Sequence, residues 1–247
     1  MFCFKPVKHK PKRNIYMYKN GHAKLASEDL YSIGEPVPLP EDQYIPAYYD
    51  TPLRPDAFDL NDNDKIRIIE THFKEIMLTL GLDLADDSLK NTPQRFAHMY
   101  VKELFSGLDP RNKPDITLFD NKYTYDQMLV EKNICFHSYC EHHFVPIIGK
   151  AHVAYISSGK VIGLSKINRV VHYLASRPQV QERLTVQIAH ELSAALNTKD
   201  IAVVLDASHL CVSSRGVKDR ESGTVTAWYG GRFKKEEIKN EFLSFIR

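Results

Sequence analysis

Four consecutive residues near the middle of the chain carry side chains that can bind a metal ion or move protons: Cys140, Glu141, His142 and His143. Two residues separate Cys140 from His143, a spacing that lets a turn after a strand direct a sulfur and a ring nitrogen at one metal ion. For an isolated pair, the alternative is a buried thiol beside surface histidines. The rest of the chain must decide between these interpretations.

A second thiol lies much later in the chain. Residues 201–213 alternate in the manner of a strand, which predicts that His209 and Cys211 share one face. With Cys140 and His143, Cys211 forms a set of two thiols and one imidazole. This set suits zinc and leaves the fourth tetrahedral position open for water, as catalytic zinc sites do.

The thiol of Cys135 could instead close the site as a fourth ligand. It lies inside a predicted strand, five residues before Cys140, and an extended chain advances roughly 3.3 Å per residue. We therefore expect Cys135 to pack in the core and the site to stay open. His142 and His209 then stand beside the two ligand segments, where the ordinary pKa of a histidine suits proton transfer near neutral pH.

The elements that must position these groups begin near Asp59. Capping residues and apolar residues at helical spacing predict a helix over residues 61–80. Thr92, followed by proline, predicts the start of a second helix over residues 92–106. Arg95 lies in the first turn of that helix, where a cation opposes the helix dipole, so it is either solvated or meets an anion.

Two strands are predicted on either side of the metal-binding stretch. Residues 128–138 and 144–156 are rich in Val, Ile, Phe and Tyr, which favours strands joined by the turn at Cys140. The cluster should therefore lie at one end of a sheet. A further strand over residues 224–233 and a charged helix ending at Arg247 complete the chain.

Two helices between these strands carry polar groups in their first turns. Ser165 is expected to cap one helix, with Lys166 and Arg169 on one side of its first turns. Free backbone N–H groups, the helix dipole and these cations can together hold phosphate. The other helix covers residues 181–197 and has Glu182 in its first turn, where a plain dipole-stabilised acid is the alternative to a functional group.

Composition limits the classes of protein to consider. At 247 residues and 43% hydrophobic content, the chain can form one large domain or two small ones. The net charge of +2 argues against a nucleic-acid partner. No apolar run approaches the roughly 18 to 20 residues that span a bilayer, so we expect no membrane contact and a cytoplasmic location. Four cysteines are too few for a disulfide scaffold and favour reduced thiols.

The N-terminal part differs in composition from the rest. Residues 1–13 carry five basic residues and no acid, which is typical of a solvated tail, with an RNA or partner contact as the alternative. Six prolines within residues 34–55 disfavour helices and central strands. We expect a largely irregular extension over residues 1–58 and a folded domain over residues 59–247.

Four motifs of the folded domain resemble those of GTP cyclohydrolase I. They are Cys140-Glu141-His142-His143, Gly163-Leu164-Ser165-Lys166, Gln179-Val180-Gln181-Glu182-Arg183-Leu184-Thr185 and His209-x-Cys211-x3-Arg215-Gly216. The resemblance runs in order from about Asp59 to the C-terminus, whereas residues 1 to about 50 match nothing in the family core.

The resemblance implies an α+β protein with the tunnelling fold, an antiparallel sheet backed by helices. A helical part would cover residues 59–122 and a catalytic part residues 123–247. The family assembles as a homodecamer of two face-to-face pentamers, a pentamer-based barrel with active sites between subunits. It converts GTP to 7,8-dihydroneopterin triphosphate and formate.

The resemblance also implies a role for each site residue. Zinc would be held by Cys140, His143 and Cys211, and zinc-activated water would attack C8 of guanine. His209 would protonate the imidazole ring of guanine near N7, and His142 would exchange protons during ring opening and ribose rearrangement.

Substrate contacts follow in the same way. Glu182 would accept the N1–H and N2–H donors of guanine, with help from Gln181. The triphosphate would be bound by a polar and cationic set: Ser165, Lys166, Arg169, Arg215 and Arg95.

Two other classes of protein stay open. Another tunnelling-fold enzyme acting on a purine or pterin would share the architecture but need not carry two thiolates and a phosphate clamp. A non-catalytic regulatory paralogue would be expected to lose a ligand or a proton-transfer group, and none is missing here. The downstream pathway (folate, biopterin or deazaguanine) and allosteric regulation are also left open.

Overall fold

The computed structural model describes residues 50–247. The predictions for the basic tail and for most of the proline-rich segment lie outside these residues. The unit that contains the described residues, Ile45–Arg247, is an α+β structure with a five-stranded mixed sheet and a separate two-stranded sheet. None of the helices within residues 50–247 is long and apolar enough to cross a membrane.

Two helices open the described chain, α1 (Asp62–Thr79) and α2 (Thr92–Met99). The side chain of Asn61 accepts a hydrogen bond from the Asp64 N–H at 3.0 Å, which confirms the predicted start of α1. The two helices contact each other through stacked rings of Phe73 and Phe96. The α-helical part of α2 ends earlier than predicted, because one π turn and two short 3-10 turns follow: Tyr100–Leu104, Ser106–Leu108 and Pro110–Asn112.

The main sheet has its strands in the order β5-β2-β3-β6-β7. Its members are β2 (Met128–Cys140), β3 (Pro146–Ile156), β5 (Pro178–Gln179), β6 (Ile201–His209) and β7 (Thr224–Tyr229). All neighbours are antiparallel except the short β2–β5 pair, which is parallel. The sheet is therefore mixed, in contrast to the antiparallel sheet expected from the sequence. The second sheet pairs β1 (Leu118–Asp120) with β4 (Lys160–Ile162).

Helices cover both faces of the main sheet. On one face, α3 (Leu164–Ala175) and α4 (Gln181–Leu196) bury the larger part of the core against β2, β3 and β6. On the other face, α6 (Glu236–Ile246) packs Phe242 against a smaller apolar cluster. Alternation along the strands supplies both clusters, because neighbouring residues point to opposite faces.

Two predictions about the strands are wrong. The strand predicted over residues 201–213 ends at His209, and Cys211 lies in a short helix, α5 (Leu210–Ser213). Hence His209 and Cys211 do not share a strand face. The side chain of Ser213 donates to the His209 carbonyl, a local bond that competes with strand pairing. The strand predicted to reach residue 233 likewise ends at Tyr229.

The expectation that Cys135 packs in the core is also wrong, because Cys135 is exposed. Ile134 and Phe136 on either side of it are buried. Cys140 lies an odd number of residues away and faces the core side, so alternation places Cys135 on the opposite face. The same alternation that keeps Cys135 away from Cys140 also keeps it out of the core.

The backbone of Gly107, in the turns that follow α2, lies very close to the backbone at the end of α3. Its N–H donates to the Ser176 carbonyl at 2.9 Å, and its own carbonyl accepts from Arg177 Nε at 2.7 Å. A Cβ at this position would lie 2.0 Å from the Tyr173 carbonyl oxygen. The backbone approach at this junction therefore requires glycine.

We expect Gly107→Ala to lower the free energy of unfolding by about 3 kcal/mol, because the added methyl forces two backbone segments apart. Gly223→Ala is the matched control, since the nearest atom to its added Cβ lies 3.7 Å away. That control should stay within about 0.5 kcal/mol of native. Denaturant unfolding at fixed protein concentration measures both, and an equal loss in the two variants would contradict this role of Gly107.

Candidate metal and nucleotide site

Three predicted ligands meet at one end of the main sheet. The ligand atoms of Cys140, His143 and Cys211 all lie within 4.8 Å of one another. Cys140 is the last residue of β2, His143 lies in the turn that follows, and Cys211 comes from α5. Two segments far apart in sequence thus place two sulfurs and one ring nitrogen around a single point.

A tight turn orients the first two of these ligands. The Cys140 carbonyl accepts the N–H groups of His143 at 3.3 Å and Phe144 at 2.8 Å. Phe144 has a left-handed backbone with φ of 54°, and its ring makes an edge contact with Phe105. The reversed chain leaves Cys140 Sγ 4.0 Å from His143 Nδ1.

Aromatic rings connect this turn to the first helices. Phe96 stacks on Phe73 of α1 and on Tyr100, with ring centroids 3.6 and 4.1 Å apart. Tyr100 in turn is parallel to the Phe144 ring at 6.4 Å. A continuous row of four rings therefore runs from α1 to the residue after His143.

The chemistry of the cluster fits a divalent metal ion. Burial, and then the neighbouring Cys140 thiol, raise the pKa of Cys211. Two adjacent thiolates repel each other, which disfavours ionisation of both thiols, and a bound cation offsets this repulsion. Two thiolates with one imidazole are a donor set that favours a tetrahedral, thiolate-binding metal and leaves one position open.

Two further histidines flank the cluster. His142 is exposed, and its Nδ1 lies 3.6 Å from Cys140 Sγ. His209 is half-buried at the end of β6, and burial lowers its pKa although the charge of Glu182 opposes that shift. His142 therefore lies close to a predicted ligand atom, and His209 lies two residues before Cys211 in the chain.

The comparisons with known proteins agree with the motifs. The model of the family described as GTP cyclohydrolase I matches residues 69–247. The chain belongs to the GTP cyclohydrolase I family. GTP cyclohydrolase 1 of Flavobacterium johnsoniae is 58% identical over 206 residues, covering 83% of this chain and 92% of the relative. The enzyme of the same name from Enterobacter sp. is 49% identical over 217 residues, covering 87% and 98%. The resemblance seen in the sequence is confirmed.

In this GTP cyclohydrolase I chain, the predicted substrate contact Gln181 is hydrogen-bonded within the protein. Its side chain is buried, and Nε2 donates to the Leu205 and Thr224 carbonyls and to Thr226 Oγ1 at 3.2, 2.8 and 3.1 Å. The amide oxygen therefore faces His209, whose Nε2 lies 2.7 Å away. These bonds fix the orientation of the Gln181 amide and place its oxygen against the ring of His209.

Glu141, which has no predicted role, forms an ion pair with Arg183. The guanidinium donates to the Glu141 carboxylate, and the two residues are 42 positions apart. No local sequence pattern links residues at that separation. Glu182, the predicted guanine anchor, precedes Arg183 and is exposed in the first turn of α4.

The predicted phosphate-binding residues lie in two helices, α2 and α3, and in the turn that follows α5. Arg215 reaches the metal cluster, with Nη1 3.1 Å from His143 Nε2. Ser165 does not cap α3 as predicted: the helix begins at Leu164, and Gly163 occupies the cap position without a side-chain bond. Within residues 50–247, no hydrogen bond joins the metal cluster to the other four members of this set: Ser165, Lys166, Arg169 and Arg95.

Proposed function

We propose that this chain is a zinc-dependent GTP cyclohydrolase I that converts GTP to 7,8-dihydroneopterin triphosphate and formate. The observation that carries the proposal is the meeting of Cys140, His143 and Cys211 in a chain of this family. Those three residues would hold zinc, which when bound supplies the Lewis acidity that activates water for hydrolysis.

The histidines supply the proton transfers. Gln181 holds Nε2 of His209, so Nδ1 of His209 is the nitrogen left to exchange a proton with the guanine imidazole near N7. Burial favours the neutral form of this ring, which makes its protonated form a better acid. His142, exposed beside Cys140, would donate and accept the protons of ring opening and ribose rearrangement.

Recognition of the substrate would combine one carboxylate with several cations. Glu182 would accept the two donors of the guanine edge, N1–H and N2–H, with help from Gln181. Its place in the first turn of α4 stabilises the carboxylate through the helix dipole. The triphosphate would be bound by Ser165, Lys166, Arg169, Arg215 and Arg95, through charge-assisted hydrogen bonds.

We further propose a homodecamer of two pentamers with the tunnelling fold and with active sites between subunits. Most of the cationic set is not joined to the metal cluster within one subunit, which favours completion of the site by a neighbour. Strand β2 pairs with β5 only at Tyr139 and Cys140, and β7 has β6 as its only described neighbour. Open strand edges of this kind are suited to pairing with another chain.

The remaining expectations belong to the same proposal. The domain would cover residues 59–247 after an extension over residues 1–58, although strand β1 lies in the part expected to be helical. A cytoplasmic location fits the free thiols of the metal cluster. Another tunnelling-fold purine or pterin enzyme is the second candidate, and the two thiols of the cluster favour GTP cyclohydrolase I over it.

Incubation of the purified protein with GTP tests the proposed function. We expect a fluorescent pterin after oxidation and phosphatase treatment, together with formate. A chelator should abolish the product and added zinc should restore it, because the metal activates the attacking water. Zinc-loaded, folded protein that forms neither pterin nor formate from GTP would refute the proposal.

A further inference from the structure

Arg183 is a nearly buried cation beside the metal-binding turn. Its side chain is 10% exposed, and that of its partner Glu141 is 27% exposed. A charge taken out of water is costly unless its hydrogen bonds are satisfied. Three guanidinium N–H groups of Arg183 have partners, because Nε donates to Gln179 Oε1 at 2.9 Å and Nη2 donates to the Pro178 carbonyl at 3.0 Å and to Glu141.

Gln179 fixes the position of the arginine. Its side chain is fully buried, and Nε2 donates to the Leu174 carbonyl at 2.9 Å and to Gln187 Oε1 at 2.8 Å. The amide oxygen is thereby directed at Arg183 Nε. Atoms of α3, α4 and β5 thus orient the guanidinium.

The metal-binding turn is tied to the same residues through its backbone. Cys140 lies opposite Gln179 in the parallel β2–β5 pair, and the Glu141 N–H donates to the Gln179 carbonyl at 3.0 Å. Glu141 therefore makes two separate contacts, one from its side chain to Arg183 and one from its backbone to Gln179, the residue that holds Arg183. Loss of the ion pair would leave only the backbone contact.

Each residue of the ion pair is next in sequence to a residue with a predicted functional role. Glu141 directly follows Cys140, a predicted metal ligand, and Arg183 directly follows Glu182, the predicted guanine anchor. A change in the distance between Glu141 and Arg183 would move these two segments relative to each other. Small displacements of reacting groups are expensive in catalysis.

We propose that the Glu141–Arg183 ion pair is a positioning device that holds the metal-binding turn in register with the start of α4. Its effect on the base anchor rests on the proposed function, whereas its effect on the metal ligands does not. The low exposure of Arg183 separates the pair from ordinary surface pairs. Lys113–Glu191, which also involves α4, has side chains 50% and 24% exposed.

The test measures zinc affinity of the full-length protein by chelator competition, using zinc ions alone as the probe. We expect Glu141→Gln and Arg183→Gln each to weaken zinc binding about tenfold or more, as loss of an outer partner of a metal site does. The double variant should be no weaker than Arg183→Gln, because both changes remove one interaction. Arg183→Lys keeps the charge and should recover part of the loss.

Glu191→Gln is the matched control, a carboxylate of another α4 ion pair. It should bind zinc as native protein does, and the thermal midpoints of the metal-free variants show whether a loss of affinity is a loss of folding. If a glutamine variant does not fold, Arg183→Lys is compared with native protein instead. A weaker zinc affinity at an unchanged midpoint then supports the proposal.

Native zinc affinity in both glutamine variants would overturn the ion-pair proposal. If those variants do not fold, native zinc affinity in Arg183→Lys would overturn it. Losses of affinity that multiply in the double variant would also overturn it. Turnover of GTP separates the two proposals. If the native zinc-loaded protein makes no pterin while the variants still lose zinc affinity, the proposed function fails and the ion-pair proposal stands. If the native protein makes pterin and the variants retain zinc and kcat, the ion-pair proposal fails alone.

Discussion

Cys211→Ser should abolish turnover of GTP and weaken zinc binding by more than the roughly hundredfold that loss of an outer partner costs. A serine hydroxyl does not ionise near neutral pH and is a poor ligand for a thiolate-binding metal. The two remaining ligands, Cys140 and His143, lie on a single turn and cannot surround the ion alone. Metal content of the purified, folded protein measures the effect directly.

Cys135→Ser is the control for that substitution, because it changes the same atom on the opposite face of β2. Cys135 is exposed and lies outside the ligand cluster, so its variant should keep both zinc and turnover. Equal loss of metal in the two variants would contradict the three-ligand site and would return Cys135 to the list of ligands.

Glu182→Gln should remove most of the preference for GTP over ATP. Guanine offers two donors to the carboxylate, whereas adenine places an acceptor and a C–H there and leaves the charge without a partner. A hydrogen bond to a charged group contributes about 1.5 to 3 kcal/mol, so native discrimination should exceed about a hundredfold. Glutamine keeps the size but turns one acceptor into a donor that faces a donor.

Equilibrium binding of GTP and ATP to metal-free protein measures this preference without turnover. Zinc content after reloading and the thermal midpoint should stay native in Glu182→Gln, since the side chain is exposed in the first turn of α4. Glu191→Gln, in the same helix, should bind GTP as native protein does. If Glu182→Gln binds GTP as tightly as native protein and still excludes ATP, the guanine anchor lies elsewhere.

Local signals in the sequence predicted the parts of the fold that depend on local chemistry. The cap at Asn61, the strands on either side of Cys140 and the helix that begins at Gln181 all appear in the structure. Each is determined by neighbouring residues, through capping, β-branched content or apolar periodicity. The spacing of Cys140 and His143 belongs to this group, since one turn sets it.

Features that depend on distant residues could not be predicted in this way. The ion pair of Glu141 joins residues 42 apart, and the amide of Gln181 is committed by acceptors on β6 and β7. The short helix α5 has too few residues to show a helical period. The exposure of Cys135 could have been predicted from the sequence. Cys135 and Cys140 are five residues apart on one strand, and an odd separation places them on opposite faces.

The row of rings from Phe73 to Phe144 limits which segments of this protein can be removed or exchanged. Each ring of the row contacts the next, and the last ring belongs to the residue that follows His143. We therefore expect the helices before the sheet to support the turn that carries Cys140 and His143. A shortened enzyme that begins at the sheet, or a chimera that takes these helices from an unrelated chain, would have to rebuild that support.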